Sequence, residues 1–213
     1  TRFKCDWSSD VCSSDLWVIN SAENLETMKF IKKLNDLKYI EPNAGKCDRT
    51  ACAQTLFASG KAAFINGSVF LPSWLKANGG DKLNFGSGSF VANSGKEAVT
   101  LGVQDYFTAY KANGHAAEIK KFMDFLFQPA NYADFLKAAG GFIPATKSAG
   151  AVAAKDPALK PFIDLLPKAI FYPGDIASWP AVKGAIQQGV GLAVTGSPQK
   201  VLDGLQKKAE AAK

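Results

Sequence analysis

The chain has 213 residues, of which 47% are hydrophobic and 21% charged, and this indicates one large or two small globular domains rather than a disordered chain. Its net charge is +6, but the lysines occur singly or in pairs, as on solvated helix faces, which argues against nucleic-acid binding. No window approaches about 18 uninterrupted apolar residues, and the chain has one histidine and four cysteines, so we expect no transmembrane helix, metal site or other cofactor.

Residues 1–16 differ in character from the rest of the chain. They contain Ser-Ser-Asp twice and have neither helical nor strand periodicity. The segment resembles the translation of sequencing-adapter DNA at the ends of reading frames in metagenomic assemblies. It lacks the basic start and the apolar stretch of about 7–15 residues of a signal peptide, and a genuine loop from Cys5 to Cys12 is the alternative. We predict that residues 1–16 are non-native and make no ordered contact with the core, and that the chain is a C-terminal fragment.

Two helices are predicted between residues 17 and 60. Asn20 or Ser21 is placed to cap the first, in which apolar residues recur at helical spacing. Asp48 is a favourable N-cap for the second, which we expect to extend to Ser59 and to end at Gly60.

Short strands are predicted in the middle of the chain. Residues 62–65 are an apolar run bounded by turn residues, which predicts a buried strand. One helical turn is expected over residues 72–76. Residues 83–91 and 99–110 are further strand candidates, the second because it alternates and is rich in aromatic and β-branched residues.

Helices dominate the remaining sequence. Asn113 and Pro129 are placed to open two helices, the second closed by Gly140-Gly141, and a small-residue stretch follows at residues 148–154. Three further helices are predicted to start where a proline follows a capping residue or a tryptophan, at Asp156-Pro157, Trp179-Pro180 and Ser197-Pro198. The end of the last helix, residues 207–213, is expected to fray. Helices mixed with a few short strands predict an α/β fold without an internal repeat.

Motifs of catalysis are missing from the sequence. There is no Gly-x-Ser-x-Gly motif, and the single His115 is expected at the start of a surface helix. Neither Gly60-Lys61 nor Gly95-Lys96 has the spacing of a phosphate-binding loop, and residues 86–89 are not a dinucleotide fingerprint. We therefore predict no catalytic residue and no enzymatic activity.

Two cysteines, Cys47 and Cys52, flank a turn with the spacing Cys-x4-Cys. They lack the second ligand pair of a zinc site. In an oxidising compartment they can close a small disulfide, which requires Cα atoms within about 7 Å. Two unpaired thiols are the alternative.

Other residues favour binding of a small molecule. Trp179 is expected on a loop or first helical turn, where a flat indole suits the CH-rich face of a sugar ring, although a core position is the alternative. Asp175 lies close in sequence and can accept hydrogen bonds from hydroxyls. Gly67, Ser68 and Phe70 follow the predicted strand, a position where α/β folds place ligand-contacting loops.

These residues also carry a family resemblance. Residues 60–68, Gly-Lys-Ala-Ala-Phe-Ile-Asn-Gly-Ser, resemble the strand-and-loop motif of family 1 extracellular solute-binding proteins, the group that contains maltose-binding protein. The passage from residue 119 to 127, followed by Gly-Phe-Ile-Pro-Ala at 141–145, and the end of the chain from Asp175 to Ala211 are also similar to that family. The resemblance extends in consistent order over residues 17–213.

The resemblance implies a periplasmic-binding-protein type II-like fold, incomplete because most of the N-terminal lobe is missing. Residues 17–92 and 150–213 would then belong to the C-terminal lobe and residues 93–149 to a returning segment of the N-terminal lobe. In that family two lobes close over a sugar, and an ABC permease in the membrane accepts the loaded form. Trp179 matches the stacking tryptophan, while Val69 stands where tryptophan is common, beside Phe70.

The resemblance therefore implies a monomeric protein, periplasmic or extracellular, either free or lipid-anchored at the membrane surface. It would bind a mono- or oligosaccharide in a cleft between lobes and deliver it to permease subunits. The expected substrate-contacting residues are Gly67, Ser68, Phe70, Asp175 and Trp179. The same fold binding a polyamine, a metal chelate or an oligopeptide is the nearer alternative, and an α/β hydrolase the more distant one.

Overall fold

The computed structural model describes residues 17–46, 48–80, 83–89, 100–111 and 114–212. The chain divides into two compact units. The first unit consists of Thr1–Ala53 and Pro173–Lys213, and the second unit consists of Gln54–Tyr172.

The described residues are rich in α-helix and contain a small sheet. In chain order the α-helices are α1 (Ala22–Asp36), α2 (Thr55–Ala58), α3 (Leu71–Asn78), α4 (Ala116–Leu126), α5 (Pro129–Ala138), α6 (Lys147–Ala153), α7 (Lys160–Leu165), α8 (Trp179–Gly189), α9 (Leu192–Thr195) and α10 (Pro198–Ala211). A π-helical turn, Thr50–Gln54, precedes α2, and a 3-10 turn, Leu166–Lys168, follows α7. The strands are β1 (Thr100–Gly102) and β2 (Ala169–Phe171).

The first unit is a helical assembly built from α1, α8, α9 and α10. Its buried core joins Met28 of α1, Ala193 and Val194 of α9 and Leu202 of α10. The long helices α1 and α10 each contribute a buried apolar residue to this core while most of their charged side chains are exposed, which is the pattern of an amphipathic helix. The Ser21 side chain accepts a hydrogen bond from the backbone N–H of Asn24 at 3.3 Å, so the predicted cap of α1 is confirmed.

Two loops of the first unit approach each other at glycines. A Cβ atom on Gly191 would lie 2.3 Å from the carbonyl oxygen and 2.6 Å from the Cα of Gly45, so neither backbone leaves room for a side chain. Gly45 also has a φ of +77°, a conformation that L-residues rarely adopt. This contact brings the turn after α1 against the start of α9.

The second unit contains the sheet and a separate buried cluster. Strands β1 and β2 are parallel, with Leu101 opposite Ile170 in the register. The cluster consists of Tyr132 and Leu136 of α5 and Ala149 of α6. The backbone N–H of Ala145 donates to the Tyr132 hydroxyl at 3.1 Å, which fixes the loop that leads from α5 to α6.

Several helix boundaries agree with the sequence prediction. Asp48 accepts hydrogen bonds from the backbone N–H groups of Thr50 and Ala51 at 2.8 and 3.0 Å, as expected of an N-cap. Helix α5 ends before Gly140 and Gly141, whose φ values are +104° and +86°. These features were predictable because they depend on residues adjacent in the chain.

The predicted strands are largely wrong. Residues 62–65 form an irregular segment, and Phe64 is 92% exposed rather than buried. Residues 83–89 are also irregular, and residues 90 and 91 lie outside the described ranges. Of residues 99–110 only β1 is a strand, and residue 99 is not described. The physical reason is that a strand needs a hydrogen-bonding neighbour, and within the described residues only β2 supplies one.

Three helix predictions in the last third of the chain are also wrong in detail. Helix α7 begins at Lys160 rather than after Asp156, because the Asp156 carboxylate instead accepts from the N–H of Ala158 at 2.8 Å in a local turn. The small-residue stretch at residues 148–154, for which no helix was predicted, is largely helix α6. Helix α10 does not fray from residue 207 but continues to Ala211, since Ala209 is completely buried.

Candidate functional site

The most distinctive feature of the first unit is a pair of stacked tryptophans. Trp179 is the first residue of α8, where Pro180 occupies the opening turn, and its side chain is half-buried. The indole of Trp17 stacks on it with ring centroids 5.8 Å apart and planes inclined by 24°. The Trp17 Nε1–H donates to the Ser178 hydroxyl at 3.3 Å. The predicted position of Trp179 at a helix start, rather than in the middle of an element, agrees with the structure.

Helix α10 holds the segment that carries Trp17. The side-chain amide of Gln206 donates to the carbonyl oxygen of Trp17 at 2.6 Å and accepts from the backbone N–H of Ile19 at 2.8 Å. At the next residue, the Asn20 amide donates to the Asp203 carboxylate at 3.0 Å. These hydrogen bonds attach residues 17–20 to α10 although they are separated from it by most of the chain.

Asp203 is the acidic group with the most hydrogen bonds at this attachment. Its side chain accepts from Asn20 and from Gln199, the second at 2.9 Å. Because both donors stabilise the charged form, they lower the pKa of Asp203 from its ordinary value of 3.8. The carboxylate is therefore ionised at neutral pH and anchors Asn20.

Asp175 lies on the turn that leads into Trp179. The backbone N–H of Ile176 donates to the carbonyl of Pro173 at 3.2 Å, and the N–H of Trp179 donates to the carbonyl of Ile176 at 2.9 Å. These two bonds fold the turn tightly and leave Asp175 exposed. Among the described residues its carboxylate has no hydrogen-bond or ion-pair partner, so it is available to a ligand hydroxyl.

The other three predicted residues belong to the second unit. Gly67 and Ser68 precede the turn into α3, and the N–H of Leu71 donates to the Ser68 carbonyl at 2.9 Å. Phe70 is the N-cap residue of α3, and it is half-buried like Ser68. These residues follow an irregular segment rather than a buried strand. Asp175 and Trp179 thus belong to the first unit, and the other three predicted residues belong to the second.

The sequence did not indicate Trp17, Ser178 or Gln206 as parts of this site. Trp17 marks the point where the helical pattern begins, but its contacts with Ser178 and Gln206 span 161 and 189 positions. Contacts between residues so far apart leave no periodic pattern in the local sequence. An aromatic residue four positions before the helix cap Ser21 was the one available signal.

The cysteine prediction can be followed only in part. Cys52 is disulfide-bonded, whereas Cys47 lies outside the described residues, as do Cys5 and Cys12. The Cys47–Cys52 pairing stays a prediction. Non-reducing digestion and mass spectrometry test it: we expect a peptide pair that joins Cys47 to Cys52, and a link from Cys52 to Cys5 or Cys12 would contradict it.

Features of other kinds of site are few among the described residues. The described residues include no group of three or more metal-ligating side chains. Within the same ranges no helix is sufficiently long and apolar to cross a membrane. The second unit has an open cavity of about 340 Å³, which Lys76, Phe85 and Pro161 help to line, and it does not include the predicted residues Ser68 and Phe70.

Comparison with protein families identifies the relationship. Residues 5–161 match the family described as bacterial extracellular solute-binding protein. The chain belongs to this family. Comparison with characterised proteins gives no match. Membership makes the protein an extracellular solute-binding protein and places it in a generally non-enzymatic class, as the sequence resemblance implied.

The matched range has two consequences for the sequence predictions. It includes Gly67, Ser68 and Phe70 but ends before Asp175 and Trp179. It begins at residue 5, inside the segment predicted to be non-native, and residues 1–16 lie outside the described ranges. Their assignment stays a prediction.

Proposed function

We propose that this solute-binding protein binds a carbohydrate, a mono- or oligosaccharide, and delivers it to the permease subunits of an ABC importer without chemically changing it. The observation that carries the proposal is the Trp179 indole at the start of α8, stacked on Trp17 and four residues from Asp175. A flat aromatic face with a carboxylate nearby is suited to a sugar ring, which offers apolar C–H groups on its faces and hydroxyls at its edge.

Each residue has a distinct proposed role. Trp179 provides the stacking face, and the exposed carboxylate of Asp175 accepts hydrogen bonds from sugar hydroxyls. In the second unit, Gly67, Ser68 and Phe70 remain the predicted sugar-contacting residues. The Ser68 hydroxyl would hydrogen-bond the ligand, and the Phe70 ring would take the place of the aromatic that the resemblance leads us to expect at Val69.

The proposal extends to the setting in which the protein works. Delivery to a permease requires a protein outside the cytoplasmic membrane, which agrees with the extracellular family. We propose that it acts as a monomer, free or held at the membrane surface by a lipid anchor, in a two-lobe fold of the periplasmic-binding-protein type II-like class.

A ligand panel tests the substrate class. Isothermal titration of the 213-residue chain with glucose, galactose, xylose, maltose and cellobiose is compared with titration of spermidine and of a tripeptide. We expect weak but saturable binding of at least one sugar, since the resemblance implies that most of the opposite lobe is missing from this chain. Asp175→Asn should weaken it further because the amide accepts fewer hydrogen bonds than the carboxylate. Binding of spermidine or the peptide alone would assign the protein to another solute and refute the sugar proposal.

A further inference from the structure

We propose that Trp17 and Gln206 are positioning residues that fix the orientation of the Trp179 indole for sugar stacking. This inference rests on the proposed function, since it concerns the same tryptophan. It goes beyond it by assigning roles to two residues that neither the family match nor the sequence pattern indicates.

The stacking geometry of the two indoles restrains the Trp179 ring. Carbon atoms in contact lie about 3.5–4.0 Å apart. Ring centroids at 5.8 Å with planes inclined by 24° are therefore offset sideways, the favourable arrangement for stacked aromatics. Trp17 consequently supports part of one face of Trp179 and limits how far that ring can tilt or rotate.

A hydrogen bond adds a second restraint at the same place. The Nε1–H of Trp17 donates to the hydroxyl of Ser178, the residue directly before Trp179. Trp17 thus contacts both the Trp179 ring and the side chain of Ser178, which precedes Trp179 in the chain. Because Trp17 is held at both points, the Trp179 ring that stacks on it has fewer orientations available than a tryptophan at the start of an isolated helix.

Gln206 determines where Trp17 itself lies. Its amide binds both sides of one backbone segment, through the Trp17 carbonyl at 2.6 Å and the Ile19 N–H at 2.8 Å. Its second N–H donates to Glu210 at 2.7 Å, so both amide hydrogens and the oxygen have partners. An amide whose two hydrogens and oxygen all have partners favours one orientation. Gln206 therefore fixes the position of Trp17 relative to α10.

This arrangement has a consequence for affinity. A free aromatic side chain must be ordered when the ligand binds, whereas an indole already held by Trp17 is ordered when the protein folds. Immobilising one side chain is worth about two- to tenfold in affinity. We therefore expect loss of Trp17 or Gln206 to weaken sugar binding by about that factor, less than the loss of Trp179 itself.

The first test measures the indole pair without any ligand. Two stacked indoles couple their ultraviolet transitions and produce paired circular-dichroism bands of opposite sign. We expect Trp17→Phe to abolish this signal and Gln206→Ala to reduce it clearly. Lys208→Ala is the control on the same helix, since Lys208 is exposed and makes no hydrogen bond to residues 17–20 among the described residues, and it should leave the bands unchanged. Unchanged bands in Gln206→Ala would overturn the role of Gln206.

The second test titrates the tightest-binding sugar of the panel into the same variants. We expect Trp17→Ala and Gln206→Ala to weaken binding two- to tenfold and the exposed-site control Lys208→Ala to have no effect. Trp17→Phe should lose less affinity than Trp17→Ala, because it keeps an aromatic ring at this position. If Trp179→Ala weakens binding but Trp17→Ala and Gln206→Ala do not, the positioning inference fails and the proposed function stands. If the unmodified chain binds no sugar, the proposed function fails and the inference with it.

Discussion

The close approach of Gly45 and Gly191 makes a strong prediction about the stability of the first unit. In Gly191→Ala the new Cβ would lie 2.3 Å from the Gly45 carbonyl oxygen and 2.8 Å from its carbonyl carbon. The Gly191 backbone has φ −60° and ψ −26°, which alanine adopts without strain. The whole loss of stability therefore comes from the steric contact between the new Cβ and Gly45. Since both sides of this contact are backbone, no side chain can rotate away to relieve it.

The expected loss follows from these distances. Inserting a methyl group into a closely packed site costs about 1–3 kcal/mol, and contacts this short with backbone place Gly191→Ala at about 2–3 kcal/mol. Gly204→Ala is the control: Gly204 is exposed within α10 and a Cβ there meets no atom within 4 Å. This substitution should stabilise the chain by about 0.5–1 kcal/mol through helix propensity.

Urea unfolding followed by circular dichroism measures both variants. We expect the midpoint to fall for Gly191→Ala and to rise for Gly204→Ala, with the slope of the transition unchanged. Equal stability of Gly191→Ala and the unmodified chain would show that the two loops do not approach as described.

Two further predictions concern single hydrogen bonds. Tyr132→Phe removes the acceptor of a part-buried hydrogen bond from the N–H of Ala145 and should lower the free energy of unfolding by about 0.5–1.5 kcal/mol. Tyr106→Phe, whose hydroxyl is on an exposed side chain, should change it by less than about 0.5 kcal/mol, and equal effects of the two substitutions would contradict the assignment. Asn20→Ala should lower the melting temperature at neutral pH, because it removes a hydrogen bond to the charged Asp203. The difference in melting temperature between the variant and the unmodified chain should shrink as the pH falls below about 4. The pKa of Asp203 is lowered in the folded protein, so its stabilising charge is lost when the carboxylate is protonated. A difference that is constant from pH 7 to pH 3 would refute the role of the charge.

The sequence predicted helices well where their ends are encoded by neighbouring residues. Ser21 and Asp48 cap helices through hydrogen bonds to N–H groups two or three residues away. The Gly140-Gly141 pair ends α5 because glycine accepts positive φ without cost. Such interactions involve a single turn of chain and can be read without knowledge of the tertiary structure.

Strands and the tryptophan pair could not be predicted in the same way. The short apolar run around Phe64 has the composition of a strand, but strand formation requires a partner that the run does not encode. The β1–β2 pairing joins residues about 70 positions apart. The position of Trp179 at the start of α8 was readable from Pro180, whereas its contact with Trp17 depends on how α10 lies in the first unit.

The central claim, that Trp179 binds a carbohydrate, is tested most directly by the affinity of its alanine variant. The control is Tyr39→Ala, which removes a 75% exposed aromatic from the same unit. Both variants are titrated with the tightest-binding sugar of the panel, and circular dichroism verifies that both are folded. We predict at least about a tenfold loss of affinity for Trp179→Ala and none for Tyr39→Ala. A folded Trp179→Ala protein that binds the sugar as tightly as the unmodified chain would contradict the account.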